Sequence, residues 1–163
     1  ATAEIINLNA SGPAWRYTGS MASARRHLNA TLLPDGRVLA TGGTSSAGFS
    51  NPAGAVHAAE VWNPATGDWS TWASNAVTRV YHGTSLLLPD GRILNSGSGD
   101  GADVTDERNA ELFSPPYLFR GARPEIAGAP TRRALGRLQS SVASSPASFQ
   151  IPSWPRFDDT YSR

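Results

Sequence analysis

One stretch of sequence occurs twice, and that repeat limits the fold more than any other feature of the chain. Residues 25–43 read RRHLNATLLPDGRVLATGG and residues 79–98 read RVYHGTSLLLPDGRILNSGS. Aligning Pro34 with Pro89 gives a spacing of 55 (89 − 34 = 55), which sets His27 against His82 and Gly42 against Gly97. Downstream, AEVWNP at 59–64 matches AELFSP at 110–115, with Glu60 against Glu111 at a spacing of 51 (111 − 60 = 51), as a shorter loop in the second copy requires. In each copy an apolar run (Ala30 to Leu33; Thr84 to Leu88) leads into Pro-Asp-Gly. That triplet is a tight turn, with Pro fixing φ and Gly supplying φ > 0. A second run (Arg37 to Thr41; Arg92 to Ser96) returns as the hairpin partner. A polar, Gly-rich loop follows, then Ala-Glu-Val-Trp-Asn-Pro as a third strand and Asp68 to Trp72 as a fourth.

Four short strands in a unit of about fifty residues describe a propeller blade of the kelch kind. The expected fold class is therefore all-β, a partial kelch-type β-propeller of about two blades over residues 1–119. Glu4 to Leu8 and Trp15 to Tyr17 read as strands that end a third blade. A ring closes with about four to eight blades, so the chain is expected to carry only part of one. Residues 120–163 begin as a linker, and 130–163, Ser-rich with interspersed Arg, show no period of 2 or 3.6.

Composition excludes several classes. With 14 basic and 13 acidic residues the net charge is +1, which sets up no field to draw nucleic acid or an acidic membrane surface. No apolar stretch approaches the ~18 residues of a membrane helix, so no membrane span is expected. No signal peptide is visible, and the chain does not begin with Met. The absence of Cys rules out disulfides, Cys-ligated zinc and thiol catalysis within these 163 residues.

Three strings carry a more specific signal: Arg79-Val80-Tyr81-His82, Ser85-Leu-Leu-Leu-Pro-Asp-Gly-Arg92, and Ala110-Glu-Leu-Phe-Ser-Pro-Pro-Tyr-Leu-Phe119. Together with Trp15, Gly19-Ser20-Met21 and Arg26-His27-Leu28-Asn29-Ala30-Thr31, they resemble the galactose oxidase and glyoxal oxidase family over about residues 4–126. Those enzymes are mononuclear copper-radical oxidases with a kelch-type propeller and a C-terminal immunoglobulin-like domain. The resemblance implies that 120–163 is a linker and the start of that β-sandwich. It makes Tyr81 the axial tyrosine that takes a proton from an alcohol or hydrated aldehyde, and His82 one of two equatorial copper histidines. The implied cofactor is copper, and the implied substrate a small alcohol, aldehyde or carbohydrate, oxidised as oxygen is reduced to hydrogen peroxide. A secreted or cell-surface location follows from the same resemblance. The family's second tyrosine, cross-linked to a cysteine, has no counterpart here, and its second histidine does not stand in 130–163. Codons for Arg156 to Tyr161 permit Gly-Ser-Thr-Thr-His in a shifted frame, so 130–163 reads as a frame-shifted or disordered segment. The chain alone is accordingly expected to be inactive. The alternative expectation is a non-catalytic β-propeller module that binds glycan or protein.

Copper(II) favours a tetragonal N/O site that imidazole and phenolate suit. Successive strand residues point to opposite faces, so Tyr81 and His82 reach one metal only where the backbone bends. His27, beside Arg26 rather than a tyrosine, reads as packing or a hydrogen bond, and His57 as solvated. Trp62 and Phe113 read as core, and one of Trp69 and Trp72 as facing the neighbouring unit. Asp100, Asp103, Asp106 and Glu107 read as a solvated loop, since their spacing is not that of an EF-hand. Asn29-Ala30-Thr31 is a glycosylation sequon that leads into a strand.

Overall fold

A computed structural model describes residues 1–99 and 104–122 and turns the repeat into strands. In chain order these are β1 (Glu4–Ile6), β2 (Trp15–Tyr17), β3 (Asn29–Leu32), β4 (Val38–Thr41), β5 (Ala58–Trp62), β6 (Trp69–Ser74), β7 (Thr84–Leu87), β8 (Ile93–Ser96) and β9 (Ala110–Phe113). Among the described residues the helical content is two 3₁₀ turns, Pro52–Gly54 and Pro116–Phe119, so the chain is all-β. The strands make three antiparallel sheets: β1-β2, β3-β4-β5-β6 and β7-β8-β9. Residues 1–119 form one compact unit. The readings placed on 130–163, and on Asp100 and Asp103, lie outside the described residues.

Both Pro-Asp-Gly triplets close hairpins as their chemistry requires. Gly36 N donates to Leu33 O at 3.0 Å and Gly91 N to Leu88 O at 2.9 Å. The two glycines stand at φ +83° and +84°, which a side chain would strain. The Asp carboxylate then ties the exit of the turn. Asp35 accepts from Arg37 N and Nε, and Asp90 accepts from Arg92 N and Nε.

The register places whole rows of side chains on one face. In the second sheet Thr31, Leu39 and Val61 share a face, and in the third Leu87, Ile93 and Phe113 do. Those two faces meet. Leu33, Leu39, Ala59, Val61 and Ile93 form the buried core, with Trp72, Phe113 and Tyr117 packed against it. Thr31 Oγ1 donates to Ser85 Oγ at 2.9 Å across the same seam, and Thr41 Oγ1 to Asn95 Oδ1 at 3.3 Å. The third sheet's other face repeats the buried row as Leu86, Leu94 and Leu112, and there Leu86 is 54% and Leu112 51% exposed.

Candidate functional site

Tyr81 and His82 lie in a turn just before β7, where the chain is tied at almost every residue. Val80 N donates to Ser98 Oγ at 2.9 Å, Gly99 N to Tyr81 O at 2.9 Å, and Gly83 N to Val80 O at 3.2 Å. Asn29 Nδ2 donates to Gly83 O at 3.1 Å from the preceding sheet. A Cβ on Gly97 would stand 2.8 Å from His82 O, so only glycine lets the two backbones approach so closely. Arg79 anchors the entry to the turn. Its buried guanidinium donates to Gly97 O at 2.8 Å, to Asn109 Oδ1 at 2.6 Å and to Glu111 Oε2 at 3.2 Å.

The bend that a shared site needs is present. His82 has φ +59°, a left-handed backbone that non-glycine residues adopt at a cost. In place of the opposed directions of a strand, the Tyr81 and His82 rings lie 3.8 Å apart between centroids, tilted by 30°. Tyr81 is half-buried and His82 exposed, so the pair is reached from solvent. Two further rings complete the cluster. His27 lies edge-on to Tyr81 at 5.1 Å, and Phe49 packs edge-on against both Tyr81 and His27 at 4.8 Å. His27 Nε2 stands 2.9 Å from Phe49 O, which makes that nitrogen the protonated one.

The other singled-out residues have structural partners. His27 both packs and hydrogen-bonds, as expected. His57 is not solvated: it is half-buried, and Nδ1 lies 3.0 Å from Asn75 O. Trp72 faces the neighbouring sheet, 5.9 Å from Phe113, with the Arg37 guanidinium 4.6 Å over its ring. Trp62 is half-buried and donates through Nε1 to Thr18 Oγ1 at 2.9 Å. Asp106 pairs loosely with Arg108 at 3.8 Å, and Glu107 Oε2 accepts from Asn109 Nδ2. No group of three or more His, Cys, Asp or Glu able to hold a metal occurs among the described residues. The Asn29 amide of the sequon donates to Gly83 O, so a glycan there would stand against the site loop.

Sequence reasoning missed the anchors. Arg79–Glu111, and Arg25–Glu60 in the first unit, are ion pairs with side chains 3%/24% and 0%/2% exposed. A glutamate recurring inside an apolar strand at Glu60 and Glu111 was the available signal, because a buried carboxylate demands a cation. Phe49 had no signal, being a lone aromatic in a polar loop.

Imidazole and phenol, here side by side and open to solvent, are N and O donors of the kind copper(II) prefers. No family model matches the chain. The galactose oxidase of Gibberella zeae is 34% identical over 130 residues, covering 75% of this chain and 19% of that protein. The aldehyde oxidase GLOX1 of Arabidopsis thaliana is 28% identical over 144 residues, covering 80% of this chain and 23% of its own. A fungal alcohol oxidase of the AA5 family, solved in complex with copper, superposes with a TM-score of 0.71 at 27% identity, covering 78% of this chain and 28% of that one. The chain thus spans about a fifth of the length of the curated relatives it matches.

Proposed function

The chain belongs to the galactose oxidase and glyoxal oxidase family, and from that premise we propose that Tyr81 and His82 are two members of a copper site for alcohol or aldehyde oxidation. The observation that supports this most is the left-handed turn at His82, which sets the imidazole beside the Tyr81 phenol at a solvent-reached edge. Copper, when bound, supplies a one-electron acceptor and a Lewis acid. His82 would hold it through a ring nitrogen, and Tyr81 would take the proton from the hydroxyl of a primary alcohol or hydrated aldehyde. The overall reaction balances as RCH₂OH + O₂ → RCHO + H₂O₂. This chain alone is inactive on the same reading. Alcohol oxidation removes two electrons, and the tyrosine–cysteine cross-link that provides the second redox centre in the family needs a cysteine, of which the sequence has none.

The fold reading that goes with this is a partial kelch-type propeller over 1–119, followed by a linker and the start of an immunoglobulin-like sandwich over 120–163, in a secreted or cell-surface protein. The repeated faces support the propeller. Leu39 and Val61 correspond to Leu94 and Leu112, and the first pair is covered by a neighbouring sheet while Leu112 stands half open. A further unit of the same plan would cover it. For the alternative, a glycan- or protein-binding module, Trp72 is not a free stacking surface, since that ring is engaged by Phe113 and Arg37.

Copper(II) titration of the full chain, followed by the phenolate-to-copper charge-transfer band and electron paramagnetic resonance, tests the reading. Wild type binds, His82→Ala loses at least about tenfold in affinity, and Tyr81→Phe loses the band. A wild-type chain with neither band nor copper signal overturns it. Sustained peroxide release with copper on galactose, methylglyoxal or glyoxal would overturn the inactivity of the chain alone.

A further inference from the structure

We propose that His27 is a positioning residue for the Tyr81 phenol, an inference that rests on the copper reading of Tyr81 and His82. His27 comes from the preceding repeat, so the site is built across two sheets rather than within one.

The argument begins with backbone strain. Among the described residues three non-glycine positions have positive φ, and two of them are the repeat-equivalent histidines, His27 at +57° and His82 at +59°. Glycine would adopt that conformation freely. A side chain retained at such a position points to a role that glycine cannot fill. For His27 the contacts say what the role is. Its ring stands edge-on to Tyr81 at 5.1 Å and to Phe49 at 4.8 Å, and Phe49 closes the triangle on Tyr81 at 4.8 Å. Edge-to-face rings at these separations attract beyond their area of contact. The hydrogen bond from Nε2 to Phe49 O fixes the rotation of the imidazole. It also fastens the loop that carries Phe49, whose own side chain is 64% exposed. His27 is thus the one member of the triangle tied by main-chain hydrogen bonding to a second member and by ring packing to both. Its Nε2 is already committed, so its part is to hold the phenol, not to add a donor to the metal through that atom.

The full 163-residue chain is compared with His27→Asn, which tolerates a left-handed backbone but offers no ring, and with His27→Phe, which restores a ring without the hydrogen bond. In the metal-free protein, Tyr81 ring resonances, assigned by their loss in Tyr81→Phe, report the packing. His27→Asn moves them toward free-tyrosine positions, and His27→Phe keeps most of the wild-type displacement. With copper(II), His27→Asn weakens binding by roughly three- to tenfold, the scale of one aromatic pair, and diminishes the charge-transfer band. Copper-induced broadening of the His82 ring signals persists. Tyr81 resonances unchanged in metal-free His27→Asn overturn the inference, as does an unchanged band in that variant beside a wild type that shows one. A wild type without any band sinks the copper reading instead. The metal-free ring shifts then decide the positioning role by themselves, displacement supporting it and coincidence refuting it. Should His27→Asn fail to fold by circular dichroism, His27→Gly, free of strain at φ +57°, carries the same comparison.

Discussion

Truncating Glu60 to alanine should be among the most damaging single changes in the described chain, and the structure sets its size. Glu60 is 1% exposed and its partner Arg25 has a side chain with no exposure at all. The carboxylate accepts from Arg25, from Ala22 N at 2.6 Å and from Ser23 N at 3.3 Å. After Glu60→Ala the guanidinium keeps only the carbonyls of Gly42 and Ala58, each at 3.1 Å, and Arg25 Nε already lacks a partner. Removing one member of a buried pair costs about 3–5 kcal/mol, because the other charge stays desolvated. With a urea m-value of about 2 kcal/mol/M, the midpoint should fall by roughly 2 M. Glu111→Ala is the internal control. That carboxylate is 24% exposed, so water replaces part of what is lost, and the fall should be at most half as large. A Glu60→Ala midpoint within about 0.5 M of wild type, or no lower than that of Glu111→Ala, would refute the reasoning. The double variant Arg25→Met/Glu60→Met should recover only part of the loss. Ala22 N and Ser23 N would then lose the carboxylate they donate to, at a combined cost of about 1 kcal/mol or more.

Two further outcomes follow from packing. Gly97→Ala combines a left-handed φ of +70° with a Cβ 2.8 Å from His82 O, whereas Gly48→Ala at φ +96° meets nothing nearer than 3.9 Å. Gly48→Ala should therefore lose only about 1 kcal/mol in urea melts, while Gly97→Ala should lose more and also shift the His82 ring resonances; equal losses with unmoved His82 signals would contradict the close-approach argument. Leu112→Glu, on the open face of the third sheet, should leave stability within about 0.5 kcal/mol and suppress self-association in size-exclusion chromatography, whereas a large destabilisation would mean that this face is already packed.

The repeat made most of the strand order legible, because Pro-Asp-Gly with a flanking apolar run leaves few alternatives to a hairpin. That a bend was needed at Tyr81 and His82 followed only from requiring both residues to reach one metal. What stayed hidden were contacts between residues far apart in sequence. His57 sits in a Gly/Ala-rich stretch and looked solvated, but Asn75 O, just past the end of β6, reaches it. Phe49 looked like an isolated loop aromatic until the fold set it against Tyr81. Local composition cannot register a partner 18 (75 − 57) or 32 (81 − 49) residues away, whereas a repeated residue type in an improbable setting, such as Glu60 and Glu111, can at least flag that one exists.

The two units differ by one residue at the point that matters, and in the second unit that extra residue stands directly before the phenol. Arg25 and Arg79 both reach the glutamate of the third strand, 54 residues apart (79 − 25 = 54), yet His27 and His82 are 55 apart (82 − 27 = 55). One residue is therefore extra between anchor and histidine in the second unit. Main-chain pairing identifies it. Arg26 exchanges hydrogen bonds with Thr44, and the corresponding Tyr81 O accepts from Gly99, so Tyr81 matches Arg26 and Val80 is the insertion. Val80 is 1% exposed, and its N–H is capped by Ser98 Oγ. The added residue thus drives an apolar side chain inward and pins the turn from below. Deleting Val80 should cost about 1.5–3 kcal/mol of burial and return the turn to the first unit's form, in which the residue before the histidine is exposed, as Arg26 is. Tyr81 in that variant should lose its ring-packing shifts in the metal-free spectrum. Should those shifts survive the deletion, the inserted valine is not what holds the phenol in place.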